Sequence, residues 1–375
     1  MPEKLFPTDE LTKRERVERA LNLQPVDRVP LHDHLGYSPG VISLYTGREV
    51  SGFDYTVEDI GAVIRRTLDM CWPIGPPTGT ERVTTPEGLV LQHDNWTTWI
   101  VSRPFSDVPG ARDWLQRRTD QVRQSPFDPR AACVAYREEV SHLQALVGET
   151  VLCMFSSFGF CAGFYDLGLE LFVYLYEESP QVFSDWVEVC AERELARAEA
   201  VADPNLSPVI LIPEDFATKQ GPIFSPQFLR RELLPHVQRL TEVWHRHGLK
   251  VLYHSDGNYK RMIPDLLACG VDGFYCLEPA VGMDVVELKR TWPQAVWAGG
   301  VDGVDLMERG TPEQVRTAVR RSILETDALH TGGLFVGTSS EINPPVQPEN
   351  FRAMVEAVGE LTNPDFSLTI GRECR

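Results

Sequence analysis

The sequence predicts an α/β fold built as a closed (β/α)8 TIM barrel, a single domain with an N-terminal helical extension and a β-hairpin insertion. Short apolar runs that end in small or polar residues alternate with helical patterns along the chain, which is typical of parallel strands buried on both faces. Seven such units can be counted, and an eighth strand fits within residues 69–74. This number favours a closed barrel over an open sheet. No GxGxxG follows the first strand, so the usual dinucleotide fingerprint is missing.

The N-terminal part of the chain predicts a helix that precedes the first strand. Thr8 or Thr12 can cap this helix, an apolar stripe follows, and Pro25 ends it. The apolar run at residues 29–33 is then the first strand of the barrel.

The segment between the first strand and residue 150 has a mixed pattern. Residues 57–72 have a helical pattern. Residues 78–105 alternate β-branched and aromatic side chains around a Pro-Glu-Gly turn, which predicts the hairpin insertion. Residues 110–147 are charged and helical, with a proline break at 126–129.

The remaining strands and helices follow in alternation. Six apolar runs predict further strands, at residues 150–160, 208–216, 250–258, 271–279, 295–302 and 333–342. Helical patterns lie between or after them, at residues 165–202, 226–248, 259–269, 282–291, 311–328 and 347–361. Because a closed barrel places its active site at the C-terminal ends of its strands, the polar residues that follow these runs are expected to converge.

Composition and charge exclude several classes of function. The chain has 375 residues, a net charge of −18 and a pI of about 5.0. This excess of carboxylates argues against a nucleic-acid-binding protein, which needs a basic face. We find no apolar run as long as a membrane span and no signal-peptide core. The eight cysteines are scattered without a CxxC pair. They are expected to be reduced thiols of a cytoplasmic protein that acts on small molecules or docks a partner protein.

The predicted strand ends are rich in carboxylates and histidines and nearly empty of basic side chains. They carry His32, Asp33, His34, Ser156, Ser157, Glu214, Asp215, His254, Asp256, Glu278, Asp302, Ser339, Ser340 and Glu341. Carboxylates that share a cavity repel each other, and a divalent cation relieves the repulsion. Histidine with aspartate or glutamate is a suitable ligand set for zinc. The alternative is that His254 and Asp256 cap the following helix and form the turn before Gly257.

Several sequence blocks, in order, resemble the uroporphyrinogen decarboxylase superfamily over almost the whole chain. The blocks are residues 14–31, 214–240, 254–258 (His-Ser-Asp-Gly-Asn), 270–284, 299–315 and 344–358. The resemblance implies a (β/α)8 barrel and one domain that spans residues 1–375.

The superfamily contains two broad chemistries, and one of them fits this chain poorly. Its decarboxylases carry an arginine-rich loop after the first strand, which holds the substrate propionates. Residues 31–40 of this chain contain no arginine. The catalytic aspartate of the decarboxylases has only a doubtful match, at Asp69. A decarboxylase-type lyase, or a non-catalytic member of the family, is therefore the second alternative.

The other branch consists of methyltransferases that work with corrinoid proteins. This chain is similar to methylcobamide:coenzyme M enzymes, which bind zinc through a His-x-Cys pair and a later cysteine. His254 matches the histidine, and Asp256 and Glu341 stand where the two cysteines are expected. Glu214, in Pro-Glu-Asp-Phe, is the candidate fourth ligand. The resemblance thus implies a zinc site of Glu214, His254, Asp256 and Glu341.

Carboxylate ligands make a metal a stronger Lewis acid towards oxygen than thiolates do. Methyl transfer from an ether needs such help, because an alkoxide or phenoxide leaves poorly unless its oxygen is polarised or protonated. We therefore expect an O-demethylase component that moves a methyl group from a methoxylated substrate, with an aromatic one favoured, to the cobalt of a separate corrinoid protein. The first alternative is transfer from a methylcorrinoid protein to a thiol or tetrahydrofolate.

The chain is not expected to carry cobalamin itself. Residues 327–333 only approach the Asp-x-His-x-x-Gly pattern of cobalamin domains, because the spacing is wrong. The cobalamin is therefore assigned to a partner, and a homodimer is left open.

Further site residues are predicted from their places at strand ends and in aromatic segments. The catalytic set is His254 and Asp256 with His32 and His34, and the substrate-binding set is Tyr37, Trp96, Phe155 and Phe158. For His32 and His34, the alternative role is structural hydrogen bonding. For the aromatic residues it is ordinary core packing.

Overall fold

The computed structural model describes residues 5–366 and shows a closed barrel of eight parallel strands. The strands are His32–Asp33, Met70–Cys71, Val151–Leu152 continued by Met154–Phe155, Val209–Pro213, Lys250–His254, Gly273–Tyr275, Val296–Val301 and Leu334–Thr338. Each strand pairs in parallel with the next one in sequence. Leu31 forms a parallel bridge to Val336, and this contact closes the barrel between its first and last strands. The predicted fold class is confirmed, including the strand expected within residues 69–74.

Helices surround this barrel. The α-helices are Lys13–Leu21, Pro39–Thr46, Val57–Thr67, Val108–Gln124, Pro129–Val147, Phe160–Tyr165, Leu169–Glu178, Pro180–Val201, Pro226–Glu232, Leu234–Arg246, Ile263–Ala268, Val285–Thr291, Pro312–Glu325, Ala328–Thr331 and Pro348–Glu360. Two 3-10 turns, Lys260–Met262 and Pro279–Val281, and a π-helical segment, Gly303–Glu308, complete the set.

Two long helices predicted from the sequence are divided in the structure, and glycine and proline explain the breaks. The pattern at residues 165–202 is interrupted by Gly168, whose φ is +81°, and again before Pro180, which begins a new helix. The pattern at residues 226–248 is divided before Pro235, which has no amide hydrogen to continue the first helix.

The insertion is a three-stranded antiparallel sheet, with one strand more than the predicted hairpin. Its strands are Thr80–Thr84, Val90–Asp94 and Thr97–Ser102. The second turn contains no glycine and therefore gives a weak sequence signal. Asn95 makes this turn in the left-handed conformation, with a φ of +56°, which asparagine tolerates better than most residues.

The helix Lys13–Leu21 packs against the N-terminal end of the barrel. Thr12 caps it in a reciprocal pair with Glu15, as the sequence predicted. Its apolar residues share one cluster with the side chains that fill the barrel interior, including Met70 and Leu211. This end of the barrel is therefore packed.

A buried ion-pair network also lies at this end. Asp69 precedes the second strand and has no exposed surface. It accepts hydrogen bonds from Arg16 Nη1 at 2.9 Å and Arg28 Nη1 at 2.7 Å, and from the Leu31 amide at 2.8 Å. Asp69 thus lies at the end of the barrel opposite to the C termini of the strands, and its role there is structural. It is the residue that matched the catalytic aspartate of the decarboxylases only doubtfully.

The described residues 5–366 include seven of the eight cysteines, and all seven are free. Cys374 lies outside the described residues. None of the helices described is long and apolar enough to cross a membrane.

Candidate active site

A cavity of about 240 Å³ opens at the C-terminal ends of the strands. It is lined by His34, Tyr37, Trp72, Trp96, His254, Asp256, Tyr275, Cys276, Ser340 and Glu341. His254 and Tyr275 are the last residues of the fifth and sixth strands, the other lining residues except Trp96 follow the first, second, fifth, sixth and eighth strands, and Trp96 reaches in from the antiparallel sheet. The structure thus brings six of the sequence-predicted site residues to one cavity, namely His34, Tyr37, Trp96, His254, Asp256 and Glu341.

The loop after the fifth strand is fixed by its backbone. His254 is the last residue of the strand and pairs with Pro213 on one side and Tyr275 on the other. Gly257 has a φ of +76°, and a Cβ there would lie 2.4 Å from the Thr218 carbonyl oxygen, so only glycine fits. The turn therefore holds the residues before it in one arrangement.

The side chain of Asp256 does not cap the following helical turn. That contact is made by Asn258, whose Oδ1 accepts a hydrogen bond from the Lys260 amide at 3.2 Å. The Asp256 side chain is instead 64% exposed, and its Oδ1 lies 3.7 Å from His254 Nε2. The helix-capping alternative is therefore not what the structure shows.

Asp215 positions both His254 and Asp256. Its Oδ1 lies 3.3 Å from His254 Nδ1 and accepts a hydrogen bond from the Asp256 amide at 2.9 Å. A carboxylate this close to one imidazole nitrogen favours a proton on that nitrogen and leaves the other nitrogen for a metal or a substrate. Sequence reasoning placed Asp215 at a strand end but gave it no role.

The charges around His254 shift its titration. Burial by itself lowers the pKa of His254, but Asp215, Asp256 and Glu341 together outweigh burial and raise it above the usual value. Burial raises the pKa of Glu341, and the negative charge of Asp256 adds to the rise while His254 opposes it. His34 is neutral at neutral pH, so the cavity carries more negative charge than the imidazole of His254 can balance.

A potential metal-binding group lies at the wall of the cavity. Ligand atoms of His254, Asp256 and Cys276 lie within 4.8 Å of one another. Nitrogen, oxygen and sulfur donors together are a normal zinc ligand set, and Asp215 supplies the carboxylate that supports a ligating histidine. Glu341 lines the same cavity but lies outside this group. The residues present thus fit a zinc ion.

Cys276 is the member of this group that sequence reasoning missed. It directly follows the sixth strand, has an unusual φ of +30°, and its thiol donates to the Ser339 carbonyl oxygen at 2.6 Å. In the sequence it is one of eight scattered cysteines. Its place immediately after a buried strand was the available signal.

Glu214 is not brought to the metal-binding group. It is fully buried, and its carboxylate accepts hydrogen bonds from the Ser157 hydroxyl and from the amides of Phe158, Gly159 and Cys161, at 2.7 to 3.0 Å. These four donors occupy the carboxylate, which holds the loop after the third strand. These contacts give Glu214 a structural role.

Replacing Glu214 by glutamine is expected to destabilise the fold without changing metal binding. A glutamine amide group cannot accept the hydrogen bond now given by the Cys161 amide, so a buried donor loses its partner. The expected cost is about 1–3 kcal/mol, measured by urea unfolding. Zinc content equal to that of the unchanged protein is expected, and a loss of zinc without a loss of stability would contradict this role.

Replacing Asp215 by asparagine is expected to weaken zinc binding by about 10- to 100-fold, because the histidine loses the carboxylate that orients it. Competition with a chromophoric chelator measures the affinity. The matched control is Asp272→Asn, which removes the carboxylate next to His245 Nε2, away from the cavity. Equal zinc affinity in both variants would contradict a positioning role for Asp215.

The remaining predicted residues differ in their relation to the cavity. His32 is buried beneath it, with Nδ1 3.2 Å from the Met70 carbonyl oxygen. Burial lowers the pKa of His32 to about 4. Burial, with His32 and His254, lowers the pKa of His34 to about 3. Both imidazoles are therefore neutral at neutral pH and are suited to orientation rather than to proton donation.

The two phenylalanines do not line the cavity. Phe155 packs behind Trp72 with a ring-centroid distance of 5.0 Å. Phe158 is fully buried, and its ring lies 5.6 Å from that of His236. The structure thus places Phe155 beside the site and Phe158 in the core.

Comparison with known proteins decides the family. A sequence model described as uroporphyrinogen decarboxylase (URO-D) matches residues 132–361, which is more than half of the chain. The chain belongs to the uroporphyrinogen decarboxylase family. The family membership predicted from the sequence blocks is confirmed.

This chain is similar to two methyltransferases of Methanosarcina mazei. One is a methylated-thiol–coenzyme M methyltransferase, 28% identical over 152 residues, a match that covers 38% of this chain and 36% of that protein. The chain thus matches little more than a third of that relative's length. The other is a solved methyltransferase structure with a TM-score of 0.64 and 18% identity, covering 94% of this chain and 99% of that one. The structural match to this second methyltransferase shows that the two chains share a fold.

Within the family, the cavity differs from a site for a substrate with several carboxylates. The ten residues that line it include no arginine and no lysine. A polycarboxylate would lie against the carboxylates of Asp256 and Glu341 with no lysine or arginine in the lining to pair with it.

Proposed function

We propose that the chain is a methyltransferase that moves a methyl group from a methoxylated substrate, with an aromatic one favoured, to the cobalt of a separate corrinoid protein. The observation that carries this proposal is a cavity at the barrel mouth with aromatic walls and a His254–Asp256–Cys276 group. Family membership and the likeness to methyltransferases support the reaction type.

The chain's own residues position the reacting groups. Asp215 holds the His254 ring so that Nε2 remains on the side of Asp256. The rings of Trp72, Trp96 and Tyr275 line the cavity and can pack an aromatic substrate, which also excludes water from the ether oxygen. The cobalt of the partner is the nucleophile, so the chain need not supply one.

The leaving oxygen requires either a metal or a proton. His254, Asp256 and Cys276 are the residues that would hold zinc. When bound, zinc supplies Lewis-acid polarisation of that oxygen. Without a metal, His254 is the proton donor, since Asp215 and the nearby carboxylates favour its protonated form.

A methylated thiol is the second candidate donor, and one observation favours it. Cys276 adds a sulfur donor to the group, which makes the ligand set softer than the purely His and carboxylate set inferred from the sequence. The relative that is 28% identical is named for a methylated thiol.

Methyl transfer to reduced cobalamin tests both donors. The full chain, zinc-loaded or treated with chelator, is incubated with cob(I)alamin and either methoxyarenes or methyl thioethers, and methylcobalamin is followed by its absorbance. Formation from methoxyarenes is the expected result. Formation from thioethers alone establishes the second candidate, and formation from neither contradicts the proposed function. Metal analysis of the same samples separates zinc from acid assistance.

A further inference from the structure

The lining of the cavity has a charge asymmetry that methyl transfer by itself does not require. Among its ten residues are four large aromatic side chains, Tyr37, Trp72, Trp96 and Tyr275, and the two carboxylates Asp256 and Glu341. Neither lysine nor arginine is among them. Any ligand therefore meets aromatic faces and negative charge together.

The aromatic residues form two walls. In the inner wall, the ring centroid of Trp72 lies 5.1 Å from that of Tyr275, 5.3 Å from that of His254 and 4.7 Å from that of His34. In the outer wall, the ring centroids of Tyr37 and Trp96 lie 6.3 Å apart. The ring centroids of His34 and Tyr37 lie 5.2 Å apart, so His34 connects the two walls. An aromatic ring that lines the cavity stabilises a cation placed over its face, because the face carries partial negative charge.

The negative charge persists when a metal is bound. A zinc ion held by His254, Asp256 and Cys276 is neutralised by one carboxylate and one thiolate. Glu341 in the cavity and Asp215 behind His254 then remain uncompensated. A positively charged ligand group balances them, whereas an anionic group adds to the repulsion.

We propose that the cavity selects a methylated donor that carries an ammonium group, held between the aromatic walls and Glu341, and that it rejects anionic donors. The transfer of the methyl group to cobalt rests on the proposed function. The inference itself concerns the charge of the substrate, and it applies whichever atom carries the methyl group. Trp96 is then a specificity-determining residue supplied by the antiparallel sheet.

The test is a matched series of methoxyarenes that differ in charge. Isothermal calorimetry on the full chain measures the binding of 4-methoxybenzylamine, which is an ammonium ion at neutral pH, 4-methoxybenzyl alcohol and 4-methoxybenzoate. We expect the ammonium compound to bind about tenfold more tightly than the alcohol, and the benzoate to bind more weakly than both. Zinc-loaded and chelator-treated protein are expected to give the same order.

Two variants and one control identify the residues. Glu341→Gln and Trp96→Leu are each expected to lower the ratio of ammonium to alcohol affinity by about fivefold or more. Trp99→Leu is the control, because Trp99 lies on the same sheet but is 65% exposed and outside the cavity. The thermal unfolding of each variant shows whether it is folded.

The possible outcomes separate this inference from the proposed function, because binding is measured without cobalamin. Preferential binding of the ammonium compound supports the inference even where no methyl transfer follows. Benzoate binding as tight as ammonium binding would overturn it. So would an unchanged affinity ratio in the folded Glu341 and Trp96 variants, even if methoxyarenes serve as methyl donors.

Discussion

Replacing His254 by alanine is expected to lower methyl transfer to cob(I)alamin by about 10²- to 10⁴-fold. In either form of the proposed mechanism His254 is indispensable, as a zinc ligand or as the proton donor to the leaving oxygen. The carboxylate of Asp215 lies next to Nδ1 of His254, and that of Asp256 lies next to Nε2. No other histidine with a raised pKa lines the cavity. The rate of methylcobalamin formation and the zinc content of the same preparation are the two measurements.

The zinc content decides between the two roles of His254. Stoichiometric zinc in the unchanged protein that is lost in His254→Ala identifies a ligand. Zinc-free protein with full activity and a pH profile that changes in the variant identifies a proton donor. His330→Ala is the matched control, because His330 is exposed and precedes the eighth strand, at the opposite end of the barrel. Full activity in His254→Ala would refute both roles.

Replacing Asp69 by asparagine is expected to lower the free energy of unfolding by about 1.5–3 kcal/mol, because two buried guanidinium groups each lose a charge-assisted hydrogen bond. Arg16 keeps its ion pair with Asp27, and Arg28 keeps its ion pair with Asp9. Arg16 and Arg28 are almost fully buried, and both donate to this carboxylate. Urea unfolding of the purified variant measures the change. Asp113→Asn is the control, because Asp113 and Arg112 form an exposed pair at 3.4 Å, and its expected effect is below about 0.5 kcal/mol.

The same carboxyl group contributes to the acid sensitivity of the protein. Burial raises the pKa of Asp69, but Arg28 and Arg16 outweigh burial and lower it from 3.8 to about 2. The unfolded chain therefore binds the proton more strongly than the folded chain. The stabilisation, about 2 kcal/mol, is fully present above pH 4 and is lost as the pH falls through 2.

Unfolding measured from pH 5 to pH 2 is thus expected to show a shallower loss of stability in Asp69→Asn than in the unchanged protein. An identical pH dependence would mean that the pKa of Asp69 does not change on folding. A variant that folds normally but loses methyl transfer would mean that Asp69 acts in the reaction, contrary to its place at the far end of the barrel.

Much of the fold followed from local patterns. Buried parallel strands are short apolar runs, and prolines and glycines mark where helices begin and end, so the eight strands and most helices could be predicted. The breaks within two long helices and the third strand of the insertion were missed. Proline at the second position of a helix and asparagine in a left-handed turn are weak local signals.

The site was predicted in part, for a reason visible at Glu214 and Asp215. These neighbours follow the fourth strand, where successive side chains point in opposite directions. Glu214 binds the amides of an adjoining loop, and Asp215 reaches His254. A sequence shows that two carboxylates are present but cannot show which of them faces the cavity.

The barrel, the family and the end of the barrel at which His254, Asp256 and Glu341 meet could all be predicted from local patterns, because strand order and direction fix where strand ends lie. The folded chain was needed to show that Cys276 joins them, that Asp215 positions the histidine, and that Asp69 is a structural residue. Those assignments depend on side-chain directions and on contacts between residues far apart in the chain, which local patterns do not contain.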